Sequence, residues 1–471
     1  MQSPAPTAVA SALPRPTRAR HVVLLFLAAM AFVLYLDRVC ISQALVPMKA
    51  EFGMTNTQAS LVLMAFTLAY GLFEIPTGRW GDRFGSRRVL TRIVLWWSAF
   101  TVLTGCVPTF EWDLSPLPLA VNGFLLLIAV RFLFGAGEAG AIPNAARIIK
   151  IWFPNSERGV TQGLFQASMH VGGTVAPVVA AAIIAAAGWR WTFAIFGLAG
   201  IVWAALFFWW FRDSPAEHPA VNQAELQWIG SQSQADSDGH GAVPWQEVLR
   251  HPNIWLLSAI ITMTSFNSYF FFSWYSTYLQ EARQVDNEKA GWLAALALGG
   301  ATVGSLFGGY LADLITRRAG DRYRARRWLC LIGFLGAATS LLGSTFVDPP
   351  ILSSILCALA CLLMFLQMPS WWAVTFDVAG KHTGTLFGLL NGMGVIGALA
   401  SQYFFGAFAD WRKADGFEGR EQWDPAFYVP AVLLLIAAAL WQFVYERPAI
   451  GAIGSSSEES LFSDRSQSSS T

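Results

Sequence analysis

The stretch RFLFGAGEAG, Arg131 to Gly140, sets an arginine and a glutamate seven residues apart inside an apolar run from about Leu117 to Ile142. That run reaches the ~20 apolar residues a bilayer-crossing helix needs. Seven residues make two helical turns, so Arg131 and Glu138 face the same way. Ionisable groups at membrane depth are unfavourable, and by default they mark a pathway or a partner. The plainer alternative is that Arg131 snorkels to an interface while Glu138 ties helices together. Gly135, Gly137 and Gly140 also spell G-x-G-x-x-G. A dinucleotide site needs a preceding strand and a βαβ unit. Inside an apolar helix the same glycines let helices approach closely, so no nucleotide site is expected.

Composition extends this reading to the whole chain. Of 471 residues, 55% are hydrophobic and 13% charged, and the mean hydropathy is +0.46. A soluble domain carries roughly 25% charge. The 35 Phe, 21 Trp and 41 Gly, with the glycines inside apolar runs, mark a polytopic helical membrane protein. A formal net charge of +1 gives no reason to expect a nucleic-acid partner. Cys40, Cys106, Cys330, Cys357 and Cys361 lie in or beside apolar runs without the His or Cys pair that would complete a metal site. They read as apolar fillers. The basic stretch ending in Arg15, Arg18 and Arg20 imitates a signal peptide, but the apolar run continues to Tyr35-Leu36-Asp37-Arg38 without a small-residue cleavage site. An uncleaved first span is expected.

Twelve apolar segments follow one another, at roughly 21–46, 57–78, 88–107, 117–142, 158–185, 190–211, 253–279, 289–313, 327–346, 350–373, 383–407 and 427–445. Their connections are short except 212–252, whose Gln/Ser/Asp-rich centre from Ser231 to Gly241 reads as a linker. The serine-rich stretch from Ser455 to Thr471 has the composition of a disordered tail. Basic residues crowd the loops after segments 2, 4 and 8, with Arg79, Arg83, Arg87, Arg88 and Arg92 in the first of these. The loop after segment 3 has Glu111 and Asp113 but no base. Even-numbered loops and both termini are therefore expected on the cytoplasmic side. The stretch GRWGDRFGSRR after segment 2 has a counterpart in Gly309-Tyr310-Leu311-Ala312-Asp313, with Arg317-Arg318 after it, at the close of segment 8. A duplicated six-span unit with a site between its halves is the expectation. The fold class is then all-α: twelve transmembrane helices in two pseudo-symmetric six-helix bundles. The divisions are a disordered cytoplasmic N-terminus (1–20), a first bundle (21–212), a cytoplasmic linker (213–252), a second bundle (253–446) and a disordered cytoplasmic tail (447–471).

These motifs resemble a known family. GRWGDRFGSRR is similar to the loop signature of the major facilitator superfamily, and RFLFGAGEAG to its fourth-helix signature. Tyr35-Leu36-Asp37-Arg38, Phe73-Glu74-Ile75-Pro76, and Ile151-Trp152-Phe153-Pro154 with Glu157-Arg158-Gly159 resemble the anion:cation symporter family in particular. That family includes bacterial sugar-acid transporters and animal organic-anion transporters. The similarity covers about 21–446. Fold and superfamily do not fix the substrate.

Asp37 and Arg38 lie mid-segment and diverge by about 100° on a helix, so one can face a cavity while the other faces segment 4. With Arg131 and Glu138 they form a nearly neutral set of two acids and two bases, tolerable at depth. Protonating one acid releases its arginine for an incoming anion, which couples the two ligands. The resemblance implies that Asp37 and Glu138 take the protons and that Arg38 meets a substrate carboxylate. Arg131 is the expected counter-charge to the acids and a member of the substrate-facing set. A static structural quartet is the plainer reading. The resemblance further implies substrate contacts from Tyr35, Tyr70, Tyr269, Trp371, Trp372 and Asn391, whereas aromatics in spans more often pack or anchor. One departure concerns segment 5. Sugar-acid symporters commonly carry an amide there, whereas this chain reads Met169-His170, leaving room for a less hydroxylated carboxylate. Gly78, Asp82, Arg83, Gly85, Arg88 and, in the second half, Asp313 form the gating motif that the resemblance implies. Glu74, one turn from this loop, is expected to be held by its arginines.

The expected activity is import of a small organic anion, such as a sugar acid or other carboxylate, with protons by alternating access. The setting is the plasma membrane, the working unit a monomer, and no cofactor, metal or enzymatic step is involved. No G-x-x-x-x-G-K-[ST] is present to drive pumping by hydrolysis. A Na⁺-coupled or uncoupled carrier or exporter, a non-transporting receptor and a membrane enzyme are the alternatives.

Overall fold

The computed structural model describes residues 15–78, 80–113, 120–230, 244–446 and 450. Arg79, the linker centre around Ser231 to Gly241, most of the N-terminal stretch and the serine-rich tail lie outside the described residues. Among the described residues there are twelve long helices: α1 (Ala19–Phe52), α2 (Asn56–Gly78), α3 (Ser86–Cys106), α4 (Gly123–Trp152), α5 (Asn155–Ala187), α6 (Trp189–Trp210), α7 (Pro252–Ser273), α8 (Asn287–Ala319), α9 (Arg322–Gly343), α10 (Pro350–Ala379), α11 (Thr383–Ala414) and α12 (Arg420–Trp441). All except α2 are long and apolar enough by composition to cross a membrane. At 23 residues α2 is about 34 Å long, which also suffices.

Polar residues just before the apolar runs fix several starts. The side chain of Asn122 accepts from Leu125 N at 3.0 Å, that of Asp286 from Lys289 N at 2.9 Å, and that of Asp321 from Tyr323 N at 2.8 Å and Arg324 N at 3.0 Å. Each satisfies backbone donors that a helix start leaves unpaired. The Arg324 and Tyr323 amides hold the Asp321 carboxyl below its usual range.

The helices differ from the apolar runs at their edges. The fourth run begins at about 117, yet α4 starts at Gly123, because β1 (Glu111–Asp113) and β2 (Ala120–Asn122) pair antiparallel just ahead of it. Helix α4 is also broken: its first piece ends at Glu138, Gly140 takes φ +87, and a second piece runs Ala141–Trp152. Only glycine adopts that conformation readily. Helix α10 is also interrupted, between Phe365 and Met368, but there Leu366 and Gln367 keep right-handed backbone angles. The linker is partly helical, with Gln223–Gly230 and Trp245–Arg250 inside it. Glu225 of its first helix is fully buried, takes Arg20 N at 3.2 Å and pairs with the Arg20 guanidinium at 3.0 Å. Arg20 also reaches Glu157 at 2.9 Å, so the linker helix is clamped to the start of α1 and of α5.

The same pairings recur in both halves. Helix α1 packs on α5, α2 on α4 and α3 on α6; α7 packs on α11, α8 on α10 and α9 on α12. Small residues bring the backbones together. Gly172 of α5 faces the Phe32 carbonyl of α1, as Gly397 of α11 faces the Thr262 carbonyl of α7. Gly135 of α4 faces Phe66 of α2, as Gly300, Gly304 and Gly308 of α8 face Ala358, Leu362 and Leu366 of α10. Lipid tails are as apolar as leucine, so close packing rather than water exclusion drives such association.

The halves meet along α5 with α8 and α2 with α11. On the face away from the N-terminus, polar ties cross this seam. Gln43 Nε2 donates to the Asn287 carbonyl at 2.7 Å, and Lys49 pairs with Glu281. Asp410 of α11 accepts Asn56 N at 3.1 Å and Thr57 N at 2.7 Å, so the second half caps a helix of the first.

Gly304→Ala places a methyl group against a backbone carbonyl and is expected to lower stability by about 1–3 kcal/mol. Gly384→Ala, where nothing lies within 4 Å of the added carbon, is expected to be close to neutral. Thermal unfolding in detergent compares the two. Lys49→Ala with Asp410→Ala removes a cap worth roughly 0.5–2 kcal/mol and should loosen the seal. The distance between spin labels at exposed Thr55 and Ala414, on either side of the seam, is then expected to lengthen.

Candidate functional site

A cavity of about 70 Å³ lies between the halves, lined by Tyr35, Arg38, Val39 and Ile41 of α1, Leu63 and Phe66 of α2, Arg131 of α4, Tyr269, Phe272 and Ser273 of α7, and Gln402 of α11. Its walls thus come from both halves. Arg38 of α1 pairs through Nε with Oε1 of Glu138, which is fully buried. This contact joins helices 1 and 4 at mid-depth. The pair is flanked by two more charges without hydrogen-bond partners in the protein: both carboxylate oxygens of Asp37, and Nε and Nη1 of Arg131. Asp37 and Arg131 are each 1% exposed. Glu138 Oε2 and Arg38 Nη2 are likewise unpartnered.

Aromatic faces take up part of the positive charge. The Arg38 guanidinium lies 4.4 Å from the Tyr70 ring centre, 5.4 Å from Phe66 and 5.5 Å from Tyr35. Arg131 lies 4.5 Å from Phe134 and 5.3 Å from Phe66. Each such contact contributes about 0.5–2 kcal/mol when desolvated. The quartet is formally neutral yet retains open donor and acceptor positions. A neutral, fully satisfied cluster would be inert; one with unfilled positions can exchange a proton or take an anion.

The sequence-derived residues fall into three groups. Tyr35, Arg38, Arg131 and Tyr269 line the cavity, and Tyr70 sits directly against Arg38. His170 lies beside the cavity wall, its ring 6.4 Å from Tyr35 and 5.8 Å from Phe365. The others sit elsewhere. Met169 is buried in the apolar core of the first half with residues such as Leu34 and Phe165. Trp371 and Trp372 cluster with Phe387, whose ring lies 5.6 and 4.4 Å from theirs. Asn391 donates to Glu74 of the other half, which also accepts from Tyr70 Oη at 3.2 Å. Glu74 was expected to meet the loop arginines; among the described residues its hydrogen bonds come from Tyr70 and Asn391.

Phe66, Phe272, Ser273 and Gln402 were not anticipated from sequence. Ser273 and Gln402 bond to each other at 3.1 Å across α7 and α11. No single-chain pattern marks them, because their register is set by helix packing. The Tyr70–Glu74 contact was in principle readable from its i, i+4 spacing.

In the glycine-rich loop, Gly85 has φ +83 and sits against the Asp213 carboxylate, which accepts Arg87 N at 2.8 Å. The acid seated on the start of α3 is therefore Asp213, from beyond α6. The side chain of Asp82, a member of the expected gating motif, lies outside the described residues. Arg83 lies 5.2 Å from the Phe84 ring, Arg88 and Asp313 are exposed, and Gly78 ends α2. The three glycines of RFLFGAGEAG have packing roles: Gly135 meets α2, Gly137 leaves room for the Trp96 indole, and Gly140 makes the break.

A family model described as Major Facilitator Superfamily matches residues 27–402, and again 291–467. The chain is 32% identical over 429 residues to a probable sulfoacetate transporter, SauU, of Cupriavidus necator, covering 91% of this chain and 94% of that protein. It is 27% identical over 405 residues to a probable galactarate/D-glucarate transporter, GudP, of Bacillus subtilis, covering 83% and 86%. Among solved structures, a bacterial homolog of the human lysosomal transporter Spinster superposes with a TM-score of 0.72 at 21% identity, covering 90% of this chain and 97% of that one. The likeness extends to the fold.

Removing one partner of the Arg38–Glu138 pair strands the other charge. Arg38→Met or Glu138→Leu alone is expected to destabilise by about 3–5 kcal/mol, and the double substitution by clearly less than either single. Thermal unfolding of the three variants tests this, and a double variant as unstable as the sum of the singles would contradict it.

Proposed function

The chain belongs to the Major Facilitator Superfamily, and on that premise we propose that it is a secondary active transporter importing a small organic anion together with protons. The observation that carries this reading is the Arg38–Glu138 pair beside the unpartnered Asp37 and Arg131, at a cavity walled by both halves. A proton on Glu138 weakens its hold on Arg38 and leaves the quartet one positive charge in excess. An anion on Arg38 restores neutrality. Each ligand thus favours the other, as coupling requires. Asp37, which faces the Arg131 charge without a hydrogen bond to it, is the second acid of the relay.

The relatives named for sulfoacetate and for galactarate or glucarate both handle small acids. The small cavity and its aromatic walls favour a compact, sparsely hydroxylated acid. Sulfoacetate fits that description better than a six-carbon diacid. Tyr35, Tyr70, Tyr269 and Asn391 complete the pocket in this reading, and Trp371 and Trp372 close it from α10.

Alternating access follows from the two ends of the seam. The polar ties at Lys49–Glu281, Gln43–Asn287 and Asp410 hold one face shut. The opposite face carries the termini, the arginine-rich loops and the clamp at Glu225, and we assign it to the cytoplasm of a plasma-membrane protein that acts as a monomer. Residues 21–212 and 253–446 then move as bodies against each other, with 213–252 spanning them and Gly78–Arg88 and Asp313 at the inner gate.

Uptake of sulfoacetate, glucarate and simple carboxylates into proteoliposomes, under an imposed pH or Na⁺ gradient, tests the reading. Concentrative uptake with the pH gradient is expected, and Glu138→Gln should lower it on the order of tenfold or more while sparing downhill exchange. Accumulation by Glu138→Gln against a gradient would refute the proton role.

A further inference from the structure

Glu74 plays no part in the proton and anion steps above, yet it holds two of the groups assigned to substrate. Its Oε1 accepts from Tyr70 Oη at 3.2 Å, and its Oε2 accepts from Asn391 Nδ2 of the other half. Tyr70 in turn lies flat beneath the Arg38 guanidinium at 4.4 Å. A continuous path of contacts therefore runs from Glu138 through Arg38 and Tyr70 to Glu74, and across the seam to Asn391. Around it, α2 and α11 are in close contact, with Gly71 against the Val395 side chain. The charged and titratable groups that interact with Glu74 are Tyr70 on its own helix, Arg38 on α1 and Tyr269 on α7; α11 offers the neutral Asn391. Asn391 itself is exposed rather than packed away.

A carboxylate that accepts a phenol O–H and an amide N–H beside an arginine-bearing pocket has the chemistry of the cargo. We propose that Glu74 is an internal stand-in for the substrate anion: in the empty transporter it occupies the Tyr70 and Asn391 donors and ties α2 to α11, and an incoming carboxylate or sulfonate must displace it. The inference rests on the reading that an organic anion enters this cavity. Each donor can serve Glu74 or the substrate, but not both fully, because a phenol carries one O–H and the amide presents one N–H in that direction. Displacement frees α11 from α2 only once an anion has arrived. The tie therefore biases the empty carrier against rearrangement, slowing the unloaded return that net symport requires without forbidding it, and it competes with the substrate rather than adding to its affinity.

Two measurements test this, one of them independent of any substrate. Spin labels at Leu72 on α2 and Ile396 on α11, 60% and 54% exposed, report the separation of the two helices. Glu74→Ala is expected to lengthen or broaden that distance in the empty protein, whereas Glu74→Gln, which keeps an acceptor for Asn391, should largely preserve it. Sulfoacetate and glucarate serve as binding probes, read by titration calorimetry. Glu74→Ala should bind the transported acid about tenfold more tightly than the unsubstituted protein, since charge-assisted hydrogen bonds no longer compete. Glu74→Gln, the milder substitution, should tighten binding by about threefold, and it carries the test should Glu74→Ala fail to fold. An unchanged label distance in Glu74→Ala, or weaker or equal binding in both variants, overturns the proposal. If the unsubstituted protein transports an acid whose binding neither variant tightens, the stand-in role alone is wrong. If no protein takes up any acid while the labels still separate, the transport reading fails and displacement falls with it.

Discussion

A buried charge in a membrane helix must find its counter-charge inside the protein, and that constraint organises this molecule. Arg38 and Glu138 answer it by pairing across α1 and α4. The pair draws those helices together at mid-depth and sets Phe66 and Tyr70 of α2 against the guanidinium. Asp37 and Arg131 answer it only in part, since their open positions remain unfilled by protein. A cluster selected for stability alone would close those positions or replace them with apolar residues. Asp37 and Arg131 thus keep polar atoms free of hydrogen bonds at full burial, which is uncommon for such groups.

The scaffold permits this because its own association needs no charges. Gly172, Gly397, Gly135 and the Gly300–Gly304–Gly308 row bring backbone against backbone, and the same partners recur in both halves. Close packing of this kind is rigid within a half. The contacts between halves combine both kinds of interaction. Helix α5 packs on α8 and α2 on α11, with Gly291 against the Pro177 carbonyl and Gly71 against Val395, and polar ties at helix ends, Lys49–Glu281 and Asp410, are added to that packing. The polar ties are the part that water or a ligand can replace.

The helix breaks belong to the same design. Helix α4 interrupts its ladder immediately after Glu138, and α10 interrupts at Leu366-Gln367, the corresponding place in the second half. Irregular backbone at membrane depth is tolerated where protein or a cavity satisfies it. Each half thus carries one interrupted helix at the corresponding place, packed on helices of its own half.

Much of the architecture was legible in the residues themselves. The length of the apolar runs, the placement of Arg79 to Arg92 against Glu111 and Asp113, and the repeated loop motif determine an all-helical, twice-six arrangement, because a bilayer admits few other solutions for such a chain. The seven-residue spacing of Arg131 and Glu138 likewise placed both on one face, and both are buried. The pairing was not legible. Sequence offers two acids and two bases, and only tertiary packing decides that Arg38 takes Glu138 while Asp37 and Arg131 stay unpartnered. It also decides that Glu74 reaches Asn391, more than 300 residues away, and that Asp213, from beyond α6, accepts the Arg87 amide at the start of α3. The reason is one of scale: periodicity fixes which face a side chain occupies, but hydrogen bonds form over about 3 Å, and that precision comes from how helices far apart in the chain are pressed together.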